Sequence, residues 1–94
     1  MWSYLITYDL HAPPGDYASL HDAIRATGKW WRHLESTWIV TTALYSTPDQ
    51  VFAVLSRHLG QSDRVLVVRL HAADGRQGWL PQEAWDWLGA NVAP

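Results

Sequence analysis

The sequence predicts an α+β domain built on one antiparallel sheet. Three observations predict it. Short β-branched or aromatic runs recur at Tyr4–Leu10, Thr37–Leu44 and Asp63–Leu70. Two stretches with helical apolar spacing lie between strands, after Asp16 and after Thr47. The linkers are short and rich in Pro, Gly, Ser and Asp. Ninety-four residues make a single domain, 1–94, with 71–94 as a C-terminal extension.

Trp2 to Leu10 reads as the first strand. Alternation sends Tyr4, Ile6 and Tyr8 to one face and Leu5, Thr7 and Asp9 to the other. The loop Pro13-Pro14-Gly15 cannot continue a strand, and Asp16 offers a helix N-cap. The helix from about Tyr17 to Thr27 places Leu20, Ala23 and Ile24 on one face, and Gly28 suits its stop. Lys29–Leu34 and Thr37–Leu44 flank Glu35-Ser36, which is short enough for an antiparallel hairpin. Thr47 as N-cap and Pro48 at the first helical position start a second helix. Val51, Val54, Leu55, His58 and Leu59 are its apolar face, and Gly60 ends it. Asp63–Leu70 is the last strand. Pro81 opens a short Trp-rich helix carrying Trp85 and Leu88, with Trp79 and Leu80 just before it.

The order β-α-β-β-α-β is the ferredoxin-like arrangement, so the expected fold is a ferredoxin-like sandwich. Both helices are expected on one face. The first and last strands are expected at the centre, because both are apolar on two sides. The tail is too short to fold alone, and a partner subunit is its expected dock, burying Trp85. Seven Trp in so small a chain also favour a subunit interface.

Composition excludes several functions. With no Cys, disulfides, thiolate zinc sites and cysteine nucleophiles are out. No basic n-region opens the chain and no apolar run reaches the ~20 residues of a membrane span, so a cytoplasmic protein with no membrane partner is expected. A net charge of −2 argues against purely electrostatic nucleic-acid binding. No serine sits in a nucleophile elbow, and no glycine-rich phosphate loop exists. No His pair has the i, i+4 spacing of a helical metal site. The segment Thr37–Thr41 lacks the glycine and basic residue of an RNA-recognition motif.

Asp9 is the main candidate. Aspartate is disfavoured in strands, so its place at the end of an apolar strand has a reason. One reading is a cap for the turn that follows. The other is a functional acid at the sheet rim. Two copies meeting across a two-fold axis would form a site for Mg²⁺, which takes one or two carboxylates, waters and substrate phosphates. His11, two residues on, is a candidate proton shuttle or second ligand. Arg25, Lys29 and Arg32 fall close together. In Lys29-Trp30-Trp31-Arg32-His33 cations interleave with aromatics, which suits either a phosphate-gripping, base-stacking surface or an amphipathic strand with solvated charges.

The strand ending in Tyr8-Asp9, the Ser36-Thr37-Trp38 motif, the length and the element order resemble the CRISPR-associated protein 2 family over about Met1 to Leu70. The stretch after Leu70 looks like a divergent branch of it. Virulence-associated protein D, an RNA-cleaving relative, is similar. The resemblance implies a homodimer with facing sheets. It also implies that Asp9 is catalytic and metal-binding, with Mg²⁺ or Mn²⁺ in cleavage of RNA or double-stranded DNA. In antiviral defence the same family serves as a non-catalytic scaffold dimer beside an integrase-type partner, which is the alternative function.

Overall fold

A computed structural model describes residues 1–11 and 17–94. The expected Pro13-Pro14-Gly15 loop and the Asp16 N-cap lie outside the described residues. The elements run β1 (Trp2–Asp9), α1 (Ala18–Arg25), β2 (Lys29–Leu34), β3 (Thr37–Thr42), α2 (Pro48–Leu55), β4 (Arg64–Leu70) and α3 (Gln82–Asn91). One turn of 3-10 helix, Ser56–His58, follows α2. Among the described residues the result is an α+β arrangement with one four-stranded antiparallel sheet and three α-helices.

The sheet order is β2-β3-β1-β4. β1 is central as expected, but β4 is an edge and β3 is the second central strand. The apolar run Val65-Leu66-Val67-Val68 misled on this point: its alternate side chains Leu66 and Val68 stay exposed. β3 shows the central pattern instead, with Trp38, Ile39, Val40, Thr41 and Thr42 all buried.

Two cores lie on the two faces of the sheet. On one, Tyr4 and Ile6 of β1 and Trp38 and Val40 of β3 pack against Leu20 and Ile24 of α1 and Val51 and Leu55 of α2. Both helices thus cover the same face. Thr47 caps α2 as its sequence indicates, its hydroxyl accepting from the Gln50 N–H at 3.3 Å. His58 and Leu59 fall beyond α2, because the chain tightens to 3-10 geometry after Leu55.

On the opposite face α3 lies across the sheet of its own chain. Ala84, Leu88 and Val92, spaced by four, pack on Trp31 and Ile39, with Leu5, Trp85 and Trp87 at the margin. The Trp31 indole donates to the Ala84 carbonyl at 3.2 Å. This corrects the expected dock on a partner subunit: Trp85 is half-buried within its own chain.

A relay of hydrogen bonds fastens the far end of α3. The Ala93 N–H donates to Ser3 Oγ at 2.8 Å, and Thr41 Oγ1 donates to the Asn91 carbonyl at 2.7 Å. Thr41 has spent its one proton, so the 2.6 Å contact between the two hydroxyls has Ser3 as donor. Gly28 has a reason other than stopping α1. A Cβ there would stand 2.2 Å from the Thr41 carbonyl oxygen, so only glycine lets the entry to β2 lie this close to β3.

Candidate functional site

Asp9 is the last residue of β1 and pairs in register with Arg64 of β4. Its side chain is 72% exposed, and Oδ2 meets His11 Nε2 at 3.0 Å. Among the described residues it accepts no backbone N–H. Asp63 does the turn-capping work at this rim. Its Oδ1 accepts from the His11 N–H at 2.8 Å and from the Tyr17 hydroxyl at 2.7 Å, and its Oδ2 accepts from the Gly60 N–H at 2.8 Å. One buttressing carboxylate therefore ties the exit of β1, the start of α1 and the turn before β4. Asp9 is left facing solvent.

Beside Asp9 the alternation of β1 turns Tyr8 toward the helices. The Tyr8 hydroxyl accepts from Trp38 Nε1 at 2.9 Å and lies 3.3 Å from His21 Nε2. Arg32 is held from two directions. Its Nη2 and Nε donate to the Glu35 carbonyl at 2.7 and 3.2 Å, and its guanidinium lies 4.8 Å from the centre of the Trp38 ring. Arg25 stands 5.3 Å from the same ring and 5.4 Å from Trp30, and pairs with Asp22 at 3.2 Å. Cations over indole faces are attracted by the ring quadrupole.

His21 completes the group, 5.6 Å from Trp38 and stacked on Tyr8. Burial pushes its pKa down, and the nearby Arg32 and Arg25 push it further, against a smaller opposing pull from Asp22. From an ordinary value of about 6.5, a lowered pKa leaves the ring neutral at pH 7. A Tyr8 hydroxyl that accepts from Trp38 keeps its own proton for unprotonated Nε2. The positive charge of this region is that of its arginines.

A cleft of about 310 Å³ opens here, lined by Tyr8, Asp9, Tyr17, His21, Arg32 and Ser36 among others. A second, of about 290 Å³, lies on the other side of Asp9 against Thr7, Arg64 and Leu66. Asp9 stands between the two. The structure thus brings Asp9 and Arg32 into one cleft and sets Arg25 behind Arg32 on the shared Trp38 ring. It does not bring Lys29 there. Lys29 pairs with Thr41 and lines a depression with Asn91 and Val92 at the opposite end of the sheet. Spacing along β2 carries that signal, because residues 29 and 32 differ by an odd number and face opposite sides.

Sequence reasoning missed Tyr8, His21 and Asp63. Alternation along β1 places Tyr8 with Ile6, so its inward face was readable. His21 required knowing how α1 is rotated over the sheet. The donor set fits a hard divalent ion in part: one exposed carboxylate with room for water is how Mg²⁺ is often held, and carboxylate and water suit Mn²⁺ as well, whereas the His11 imidazole is a softer donor than either ion favours. Among the described residues no group of three or more His, Asp or Glu gathers at one point, and no helix is long and apolar enough to cross a membrane. No protein-family model, no curated protein and no solved structure matches this chain.

Proposed function

We propose that the protein is a metal-dependent phosphodiesterase acting on nucleic acid, RNA or double-stranded DNA, in the cleft between Asp9 and Arg32. One observation carries the reading: an exposed carboxylate and a fixed guanidinium line the same cleft. Asp9 would hold Mg²⁺ or Mn²⁺ with His11 beside it, and Arg32, its Nε and Nη2 engaged by the Glu35 carbonyl, would turn Nη1 to a phosphate oxygen. A bound ion supplies polarisation of the phosphodiester and a more acidic attacking water. Trp38 and the Glu35 carbonyl fix Arg32 in place before substrate arrives, so little ordering remains at binding. Arg25 adds positive potential behind it.

The resemblance to the CRISPR-associated protein 2 family supports the same reading. So does a ferredoxin-like arrangement, to which the connectivity β-α-β-β-α-β and the sheet order β4-β1-β3-β2 point. A cytoplasmic location goes with it. The test is cleavage of labelled RNA and duplex DNA with Mg²⁺, Mn²⁺ or chelator, by wild type, Asp9→Asn and Arg32→Ala. Loss of cleavage with Asp9→Asn and with chelator is expected. Cleavage that survives both refutes the assignment.

A second reading is a non-catalytic scaffold beside an integrase-type partner. The position of α3 favours it: the helix packs on Trp31, Ile39 and Leu5 of the face on which two sheets would otherwise close, which sets it against two Asp9 carboxylates meeting across a two-fold axis. Tight nucleic-acid binding without cleavage under every metal condition would select this reading over the first.

A further inference from the structure

The two edges of the sheet are built differently. β2 breaks its register with β3 between Trp31 and Leu34 and carries Lys29 and Arg32. An irregular, charged edge resists pairing with another strand. β4 carries charge only near its two ends, at Arg64 and Arg69, and its centre from Val65 to Val68 is apolar. It pairs with β1 without interruption from Ser3↔Leu70 to Asp9↔Arg64, and it contains no Pro, Gly or Lys. Among the described residues nothing pairs with its outer side. Leu66 and Val68 are 57% and 41% exposed on it. An open, regular, apolar edge is a template for another strand.

We propose that β4 pairs antiparallel with β4 of a second copy of this chain, on a two-fold axis at Val67, joining the two sheets into one of eight strands. A two-fold axis perpendicular to the sheet keeps each face continuous, so a residue pairs only with one on its own side of the pleat. Of the registers this allows, only the one centred on Val67 pairs all seven residues of β4. It sets Leu66 against Val68 of the second copy, twice, closing four exposed apolar side chains over one another. It sets Arg64 against Leu70 and Arg69 against Val65, so no like charges face across the seam.

A buried group favours the same partner. Arg69 Nε is buried without a hydrogen-bond partner. In this register Arg69 lies opposite Val65 of the second copy, and Val65 lines a cleft with Asp49 and Phe52. The seam thus carries an underused cation toward a carboxylate-bearing cleft. The arrangement also separates the two Asp9 residues by three strand spacings and six residues, about 25 Å at ~4.8 Å per spacing and ~3.4 Å per residue. Each cleft then works alone.

The absence of native cysteine makes the register directly testable. Sedimentation of the wild type at micromolar concentration is expected to give twice the 10.7 kDa protomer mass. Leu66→Lys/Val68→Lys, with both changes on exposed positions, is expected to halve that mass while circular dichroism stays unchanged. Leu66→Cys mixed with Val68→Cys is expected to give a disulfide-linked pair on mild oxidation, since directly opposed Cα atoms lie about 4.5–5.5 Å apart. Neither variant alone is expected to do so. Monomer at every concentration overturns the proposal. So does self-linkage of either single variant, which would mark another register, or a persistent dimer in the double-lysine variant.

Discussion

Removing one hydroxyl at Ser3 is expected to loosen α3 from the sheet. Ser3 is fully buried, and its oxygen is the acceptor for the Ala93 N–H. In Ser3→Ala that N–H keeps no acceptor, and Thr41 loses a donor but still donates to Asn91. Leaving one buried N–H unpaired costs about 1–3 kcal/mol. For a domain of this size each kcal/mol moves Tm by roughly 4–8 °C, so a loss near 2 kcal/mol lowers Tm by about 10 °C. Urea unfolding followed by circular dichroism gives the free energy, and calorimetry gives Tm. Thr41→Val orphans the Asn91 carbonyl and the Ser3 proton, so it costs a comparable amount. Because the two residues share one relay, the double variant should lose less than the sum. If Ser3→Ala stays within about 0.5 kcal/mol of wild type, the range of an ordinary surface change, the docking of α3 on its own sheet is wrong.

Two further outcomes follow from packing and charge. Gly28→Ala places a methyl against the Thr41 backbone, which cannot rotate away; a loss of at least the 1–3 kcal/mol typical of overpacking is expected in chemical denaturation. His21 gives a pH dependence with a definite sign. Its folded pKa is depressed, so below about 6.5 the unfolded chain binds protons that the folded one refuses, and stability falls as pH drops through that window. Above it both states are neutral and the contribution is flat. Wild type should therefore lose stability more steeply than His21→Gln as pH falls from 7 to 5, and equal slopes over that range would refute the assignment.

Local signals carried most of the element list. The Thr47-Pro48 start, the Glu35-Ser36 hairpin and the β1 alternation are fixed by neighbouring residues, and each was readable. Sheet order was not, because it depends on which strands find partners on both sides. Val65 to Val68 satisfy the composition of a central strand while standing at an edge. The candidate site divides the same way. Asp9 was visible as an acid out of place in a strand. The distinction between it and Asp63, where one carboxylate faces solvent and the other braces three segments, arises only when residues 11, 17, 60 and 63 meet in space. Arg32 was visible as a cation among aromatics, but its separation from Lys29 required β2 to be taken as a strictly alternating strand.

The bond from Ala93 to Ser3 spans 90 residues of chain. The contact of Tyr8 with Trp38 on the helix-covered face spans 30. Closing the longer loop costs about 1 kcal/mol more in chain entropy. Loop entropy thus favours closing the β1–β3 contacts on the α1–α2 side before α3 docks. Until it does, Trp31, Ile39 and Leu5 stand uncovered on a finished sheet. That interval, set by contact separation rather than by final stability, is when the chain is most open to aggregation or to capture by a folding helper.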